Sequence, residues 1–267
     1  MANPASGAGP KPGDGYVQSF ARGLEVIRTF SSAAPRQTLS EVAARAALTR
    51  AGARRILLTL QALGYVESDG RLYALTPRIL DLGFAYLSSM PIWNLAEPVM
   101  EALVDEVKES CSAAVLDGAD IVYVLRVPTR KIMSISLGVG SRLPAYCTSM
   151  GRVLLSGLPD ETLEARLQAS ARQPLTRHTV TEVEPLLAKI RQVRKQGWCL
   201  VNQELEEGLI SLAAPITNRS GQIVAALNIS GQANRTSARQ MQEAMLPALL
   251  AAARGISAQL APAAAPA

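Results

Sequence analysis

Residues 38–75, TLSEVAARAALTRAGARRILLTLQALGYVESDGRLYAL, hold two short helical periods, a turn and a hairpin signal in direct succession. That order is a winged helix-turn-helix, a motif that reads DNA. Thr38 followed by Glu41 makes a capping box, which predicts a helix starting near residue 39. In the next helix Ala53, Ile56, Leu57 and Leu60 form one apolar stripe and leave Arg54 and Arg55 facing outward. Gly64 ends that helix. Residues 65–68 and 71–74 then read as strands around a two-residue Asp69-Gly70 turn, a wing with Arg71 near its tip. In such a motif the first turn of the second helix enters the major groove, so Thr49, Arg50, Arg54 and Arg55 are the candidate contacts. Thr38, Ser40 and Arg71 flank them. An arginine fork suits guanine, and Arg54 and Arg55 are the leading base readers.

The charge sits with the motif. Residues 1–76 carry nine basic against five acidic side chains, and the rest carry eighteen against seventeen, within a formal charge of +5. Such an excess attracts phosphate and supplies affinity that does not depend on sequence. At 267 residues the chain has room for a small DNA-binding domain and a larger partner.

Metal, disulfide and enzyme chemistry find little support. Three cysteines (Cys111, Cys147, Cys199) without C-x-x-C spacing and one histidine, His178, indicate neither a disulfide framework nor a metal site, and no cofactor is implied. Cys147 precedes a helix start, which would lower its pKa and suit a nucleophile. The sole candidate base, His178, lies in a polar loop, so catalysis is disfavoured. Gly138-Val139-Gly140 lacks the third glycine of a dinucleotide loop. A plain DNA-packaging protein would not need so large a second domain. No 18-residue apolar run and no signal peptide are evident, so a cytoplasmic protein without membrane contact is expected.

The expected organisation is a disordered start at 1–15, a winged helix at 16–76, a linker helix at 77–91, a sensory domain at 92–260 and a disordered tail at 261–267. Phe20, Leu24 and Ile27 form the stripe of an opening helix that should pack across the motif. Thr76-Pro77 starts the linker helix, whose Leu80, Phe84 and Leu87 face either a second subunit or a core. A helix with Leu95, Val99, Leu103 and Val107 opens the second domain. Strands at 113–116, 121–126, 131–137, 209–216 and 222–230 follow, with helices from Ser149, at 160–169, at 182–196 and at about 236–260 between and after them. The fold class is therefore α+β, with a mostly antiparallel sheet.

The run Pro144-Ala145-Tyr146-Cys147-Thr148-Ser149-Met150-Gly151 enters a helix, whose first amides suit a carboxylate. Thr148 or Ser149 is either a plain N-cap or part of such a site. Arg126 pairs either with an acid ligand or, as the more usual role, with a surface carboxylate.

Five segments carry a further resemblance: SFARGLEVIRTF at 19–30, LTLQALGYV at 58–66, GSRLPAYCTSMGRVLLSGLP at 140–159, QGWCLVNQELEEGLISLAAPI at 196–216 and AALNISGQANR at 225–235. Through them the chain resembles the IclR family of bacterial transcriptional regulators, within it the branch controlling aromatic-acid and β-ketoadipate catabolism. The resemblance implies a winged helix, a linker helix and a GAF-like effector domain, in homodimers that often pair into homotetramers. It implies operator DNA and a small organic acid, aromatic or dicarboxylic, as partners. It places Ser211, Asn228 and Ser230 beside the helix start at Tyr146, Cys147, Thr148, Ser149 and Met150, and makes Glu204 and Gly208 part of a family E-x-x-x-G pattern. Ala51-Gly52-Ala53 departs from the polar or β-branched residues usual early in the recognition helix, which leaves base reading to the arginines.

Overall fold

The structure, a computed structural model, describes residues 13, 15–89, 92–129 and 137–260. The expected terminal disorder, the helix stop at Pro91 and nearly all of the strand expected at 131–137 lie outside the described residues. The chain forms two compact units, divided after Ser89.

In the first unit α1 (Gln18–Arg28) leads to β1 (Arg36–Thr38), α2 (Leu39–Arg45) and α3 (Arg50–Ala62). Strands β2 (Val66–Ser68) and β3 (Leu72–Leu75), a 3₁₀ turn (Pro77–Ile79) and α4 (Leu80–Ser88) complete it. The capping box at α2 forms as read: Thr38 Oγ1 accepts from the Glu41 amide and Glu41 Oε2 accepts from the Thr38 amide at 2.7 Å. Caps of this kind stabilise a helix by about 1 kcal/mol. Gly64, at φ +80°, takes the left-handed turn that ends α3. Val26, Val42, Leu57, Leu60 and Val66 form the core.

Three details differ from the sequence reading. The wing has a third strand: β1 pairs with β3, giving the order β1-β3-β2. Three residues after a proline carry no period, so β1 was invisible. The tip is also one residue later than expected, because Ser68 pairs with Tyr73 and the central residues are Gly70-Arg71. Asp69 Oδ1 sets this by accepting from the amides of Arg71 and Leu72. Finally, only the end of the α1 stripe meets the core: Phe20 is 68% and Leu24 37% exposed, whereas Ile27 packs against the core beside the fully buried Val26.

The second unit opens with α5 (Ile92–Val107). Its buried residues are Ile92, Trp93, Ala96, Met100, Leu103 and Val104, so of the expected stripe Leu95, Val99, Leu103 and Val107 only Leu103 is fully buried and the face is rotated. Both faces are apolar enough to serve, and packing chose between them. A six-stranded antiparallel sheet follows, in the order β6-β5-β4-β9-β8-β7. Its strands are β4 (Ser110–Asp117), β5 (Asp120–Val127), β6 (Arg142–Pro144), β7 (Cys199–Asn202), β8 (Leu209–Thr217) and β9 (Ile223–Gln232). Strands β6 and β7, three and four residues long, were not foreseen.

Helices cover the sheet, two of them from opposite ends of the unit. The opening α5 packs against β4 and β5, and the closing α9 (Ala238–Gln259) against β8 and β9. Helix α6 (Ser149–Ser156) packs on β4, β7, β8 and β9, with α8 (Val183–Gln196) on it and α7 (Asp160–Ala169) on α8. The class is α+β, as read.

Candidate functional site

A cavity lies between the start of α6 and the sheet. Its wall includes Cys147, Thr148, Ser149 and Met150 from the α6 entry, Ser211 from β8, Asn228 and Ser230 from β9, and Arg126 from β5. Eight of the nine residues read from the sequence as effector contacts thus come together. Tyr146 does not join them: its hydroxyl donates to the Gln173 carbonyl at 2.6 Å and accepts from the Gln173 amide, tying the following loop to the helix entry. Tyr123, Leu137, Leu143, Val201, Leu205 and Leu209, not singled out from the sequence, complete the lining.

The polar groups are partly engaged with one another. Ser149 Oγ and Ser211 Oγ share a 2.7 Å hydrogen bond. Register accounts for the rest: Ser230 pairs with Ser211, and Asn228 with Ser112. Residues two apart on β9 therefore share the face toward α6. Asn228 Oδ1 accepts from the Ser112 amide at 3.1 Å and its Nδ2 donates to Ser230 Oγ at 2.9 Å. Asn228 is thus as much a strut as a donor. Arg126 is half-buried, donates to Ser112 Oγ at 3.4 Å and stands on the cavity wall.

The helix entry owes its shape to close packing. Thr148 caps α6 by accepting from the Gly151 amide. The amides of Ser149 and Met150, at the first two helical positions, lie outside the intrahelical ladder and carry the positive end of the helix. Gly151 is required for space: a Cβ there would stand 2.1 Å from the Ala145 carbonyl oxygen. Behind the entry a buried ion pair fixes α6. Arg152, 2% exposed, meets Glu204 through two bonds of 2.7 and 2.5 Å and donates from Nε to the Tyr146 carbonyl. Glu204 Oε2 also accepts from the Val180 amide. Glu204 is therefore structural, and Arg152, its partner, had no sequence signal beyond being a charge in an apolar helix.

The thiol chemistry runs against catalysis. Burial outweighs the helix start at Cys147 and pushes its pKa up to about 12, so the lowered value expected from the sequence does not arise. His178 is exposed beside Arg177, while Cys147 is fully buried. No metal-binding cluster of His, Cys, Asp or Glu occurs among the described residues.

In the first unit Arg50, Arg54 and Arg55 are exposed on α3, as are Ser40 on α2 and Arg71 on the wing. Thr38 and Thr49 spend their hydroxyls as caps. Arg50 and Arg54, one turn apart, share an outer stripe. Arg55 instead borders a groove of about 780 Å³, lined by Phe20, Leu24, Ile27, Ile56, Leu63 and Leu82 among others. Leu80 and Phe84, each 69% exposed, add to the apolar surface of α4.

A winged helix presenting arginines, joined to a domain whose internal cavity gathers hydroxyls, an arginine and a helix start, defines a DNA-binding regulator. Residues 19–70 match the IclR helix-turn-helix domain and residues 84–258 match the bacterial transcriptional regulator IclR C-terminal domain, so the chain belongs to the IclR family. It is 44% identical over 262 residues to the Pca regulon regulatory protein of Pseudomonas putida, covering 97% of this chain and 90% of that one. A protein of known crystal structure from Rhodococcus sp. RHA1 is 51% identical, with a TM-score of 0.83 over 92% of this chain and 98% of that one. An IclR homologue of Microbacterium hydrocarbonoxydans, crystallised with 4-hydroxybenzoate, is 26% identical, with a TM-score of 0.81 over 91% and 98%. These families and relatives are transcriptional regulators, not enzymes.

Proposed function

We propose that this protein controls genes of aromatic-acid catabolism, and that a small carboxylic acid, aromatic or dicarboxylic, bound in the cavity beneath α6 sets its hold on operator DNA. The observation that carries the reading is the α6 entry. There the first two amides of the helix and the Ser149–Ser211 hydroxyl pair belong to residues lining a cavity walled also by Leu137, Leu143, Val201, Leu205 and Leu209. A carboxylate is favoured at such a start by charge and by the unpaired amides together. The 4-hydroxybenzoate in the Microbacterium relative and the Pca regulon of the Pseudomonas relative support the same class of ligand.

The cavity has a volume of only about 20 Å³, roughly the room of a single water. An aromatic acid therefore enters as the α6 entry and the Leu205–Leu209 wall move apart. That movement is how binding favours one arrangement of the protein over another.

On the DNA side, Arg50 and Arg54 contact the major groove, with Thr49, Thr38, Ser40 and Arg71 toward the backbone and Arg55 at the edge of the α1–α3 groove. A second copy of the chain covers the α1–α3 groove and the apolar face of α4, and the dimer, alone or paired into a tetramer, binds a near-palindrome. No described helix is long and apolar enough to cross a membrane, and the cytoplasm, where operator DNA lies, is its place of work.

Isothermal calorimetry with 4-hydroxybenzoate, protocatechuate and β-ketoadipate tests the ligand, with saturable binding to at least one expected. Heat from none of the three would end the acid reading. Footprinting on the DNA flanking its gene is expected to show two protected half-sites, and a single isolated one would rule out the dimeric mode.

A further inference from the structure

The β4–β5 ladder contains one irregularity. Ala113 pairs with Leu125 and Ala114 with Tyr123, so Val124 is skipped. Strict alternation would send Tyr123 and Arg126, three residues apart, to opposite faces of the sheet. The bulge absorbs the extra residue and sets both side chains opposite the β4 residues Ala114 and Ser112, which are themselves two apart and share a face. Tyr123 and Arg126 accordingly both line the cavity.

Tyr123 is 4% exposed. Among the described residues its hydroxyl makes no hydrogen bond and, unlike Gln37 Oε1 and Trp93 Nε1, is not sealed from solvent, so it is open to a partner. Burial pushes its pKa up to about 12, so the group remains a neutral donor at physiological pH. Its place in the sheet is informative as well. Ser211, with Ser149 upon it, stands on β8, whereas Tyr123 stands on β5, three strands away in the order β5-β4-β9-β8. Strand spacing puts about 14 Å between those backbones. The two polar groups thus stand at opposite ends of the cavity lining, and a ring admitted as the cavity opens would have one of them at each end.

We propose that Tyr123 is a specificity-determining residue: with the carboxylate of the acid at the α6 entry, the Tyr123 hydroxyl hydrogen-bonds a para hydroxyl at the far end of the ring. The site thereby separates 4-hydroxybenzoate from benzoate. This rests on the acid-binding reading above.

Calorimetry on the full-length wild type and Tyr123→Phe, each with 4-hydroxybenzoate, 3-hydroxybenzoate and benzoate, tests it. The wild type is expected to prefer the para-hydroxy acid over the other two by about tenfold or more, the worth of a buried hydrogen bond. Tyr123→Phe is expected to lose that preference while binding benzoate unchanged. A melting temperature equal to that of the wild type verifies that the variant folds. An equal loss for all three acids, an unchanged preference, or a wild type that favours the meta isomer as strongly would each overturn the role of Tyr123 and leave acid binding standing. A wild type that binds none of the three overturns both.

Discussion

Glu204→Ala should destabilise the second unit far more than a typical truncation. The Arg152 guanidinium, 2% exposed, would keep the Tyr146 carbonyl and lose both carboxylate bonds. Removing one member of a buried pair costs about 3–5 kcal/mol, because the remaining charge stays buried. The Val180 amide, which bonds the same carboxylate, loses its acceptor too, and an orphaned amide costs about 1–3 kcal/mol. These losses overlap, which puts the total at roughly 4–6 kcal/mol. In a unit of this size each kcal/mol moves Tm by about 2–4 °C, so a fall of about 8–24 °C is expected. Tryptophan fluorescence reads this unit selectively, since both tryptophans of the chain, Trp93 and Trp198, lie in it. The pair Arg152→Met with Glu204→Leu should recover most of the loss, because apolar groups of similar volume are neutral or better than a buried pair. A loss under about 1 kcal/mol for Glu204→Ala, set against that expected penalty, or a double variant worse than the single one, would refute the reasoning.

Three further outcomes are expected. Arg54→Ala should weaken operator binding by about 1–3 kcal/mol if a bidentate base contact is lost. A uniform loss across DNA sequences with a shallower salt slope, measured by fluorescence anisotropy, would reassign Arg54 to phosphate. Phe84→Asp places a charge on the apolar face of α4 that the proposed dimer covers, and sedimentation should show the variant smaller than the wild type. An unchanged sedimentation coefficient removes that face from the interface. Burial raises the pKa of Cys111, Cys147 and Cys199 above the ordinary thiol value of 9.0. Unfolded thiols release their protons near pH 9 while the folded ones keep theirs, so stability is complete below pH 9 and falls as pH rises toward 12. Melting curves between pH 8 and 11 that show no loss beyond that of a Cys-free variant would contradict this.

Local rules account for what was legible. The Thr38–Glu41 capping box, the Ala53–Leu57–Leu60 stripe and the stop at Gly64 depend on residues within a turn or two of one another, and each appears as read. The same holds for helices α6 to α9 and for the long strands β4, β5, β8 and β9. The site residues on β8 and β9 were found through their likeness to a family and through alternation, which register then bore out for the shared face. Short strands escaped because three or four residues show no period. The phase of α5 escaped because both of its faces are apolar and only the sheet beneath could select one.

By itself the sequence determined that this chain carries a winged helix beside an α+β domain, since caps, turns and periodicity act over a few residues. Tertiary structure decided which polar groups meet. It brought Ser149 onto Ser211 across 62 residues and Arg152 onto Glu204 across 52. It also turned Tyr123 into the cavity by skipping Val124 and withdrew Tyr146 to Gln173. The reason is physical. Such contacts depend on strand register and on the cost of leaving buried donors and charges unpaired, and neither is settled until the whole sheet has closed around them.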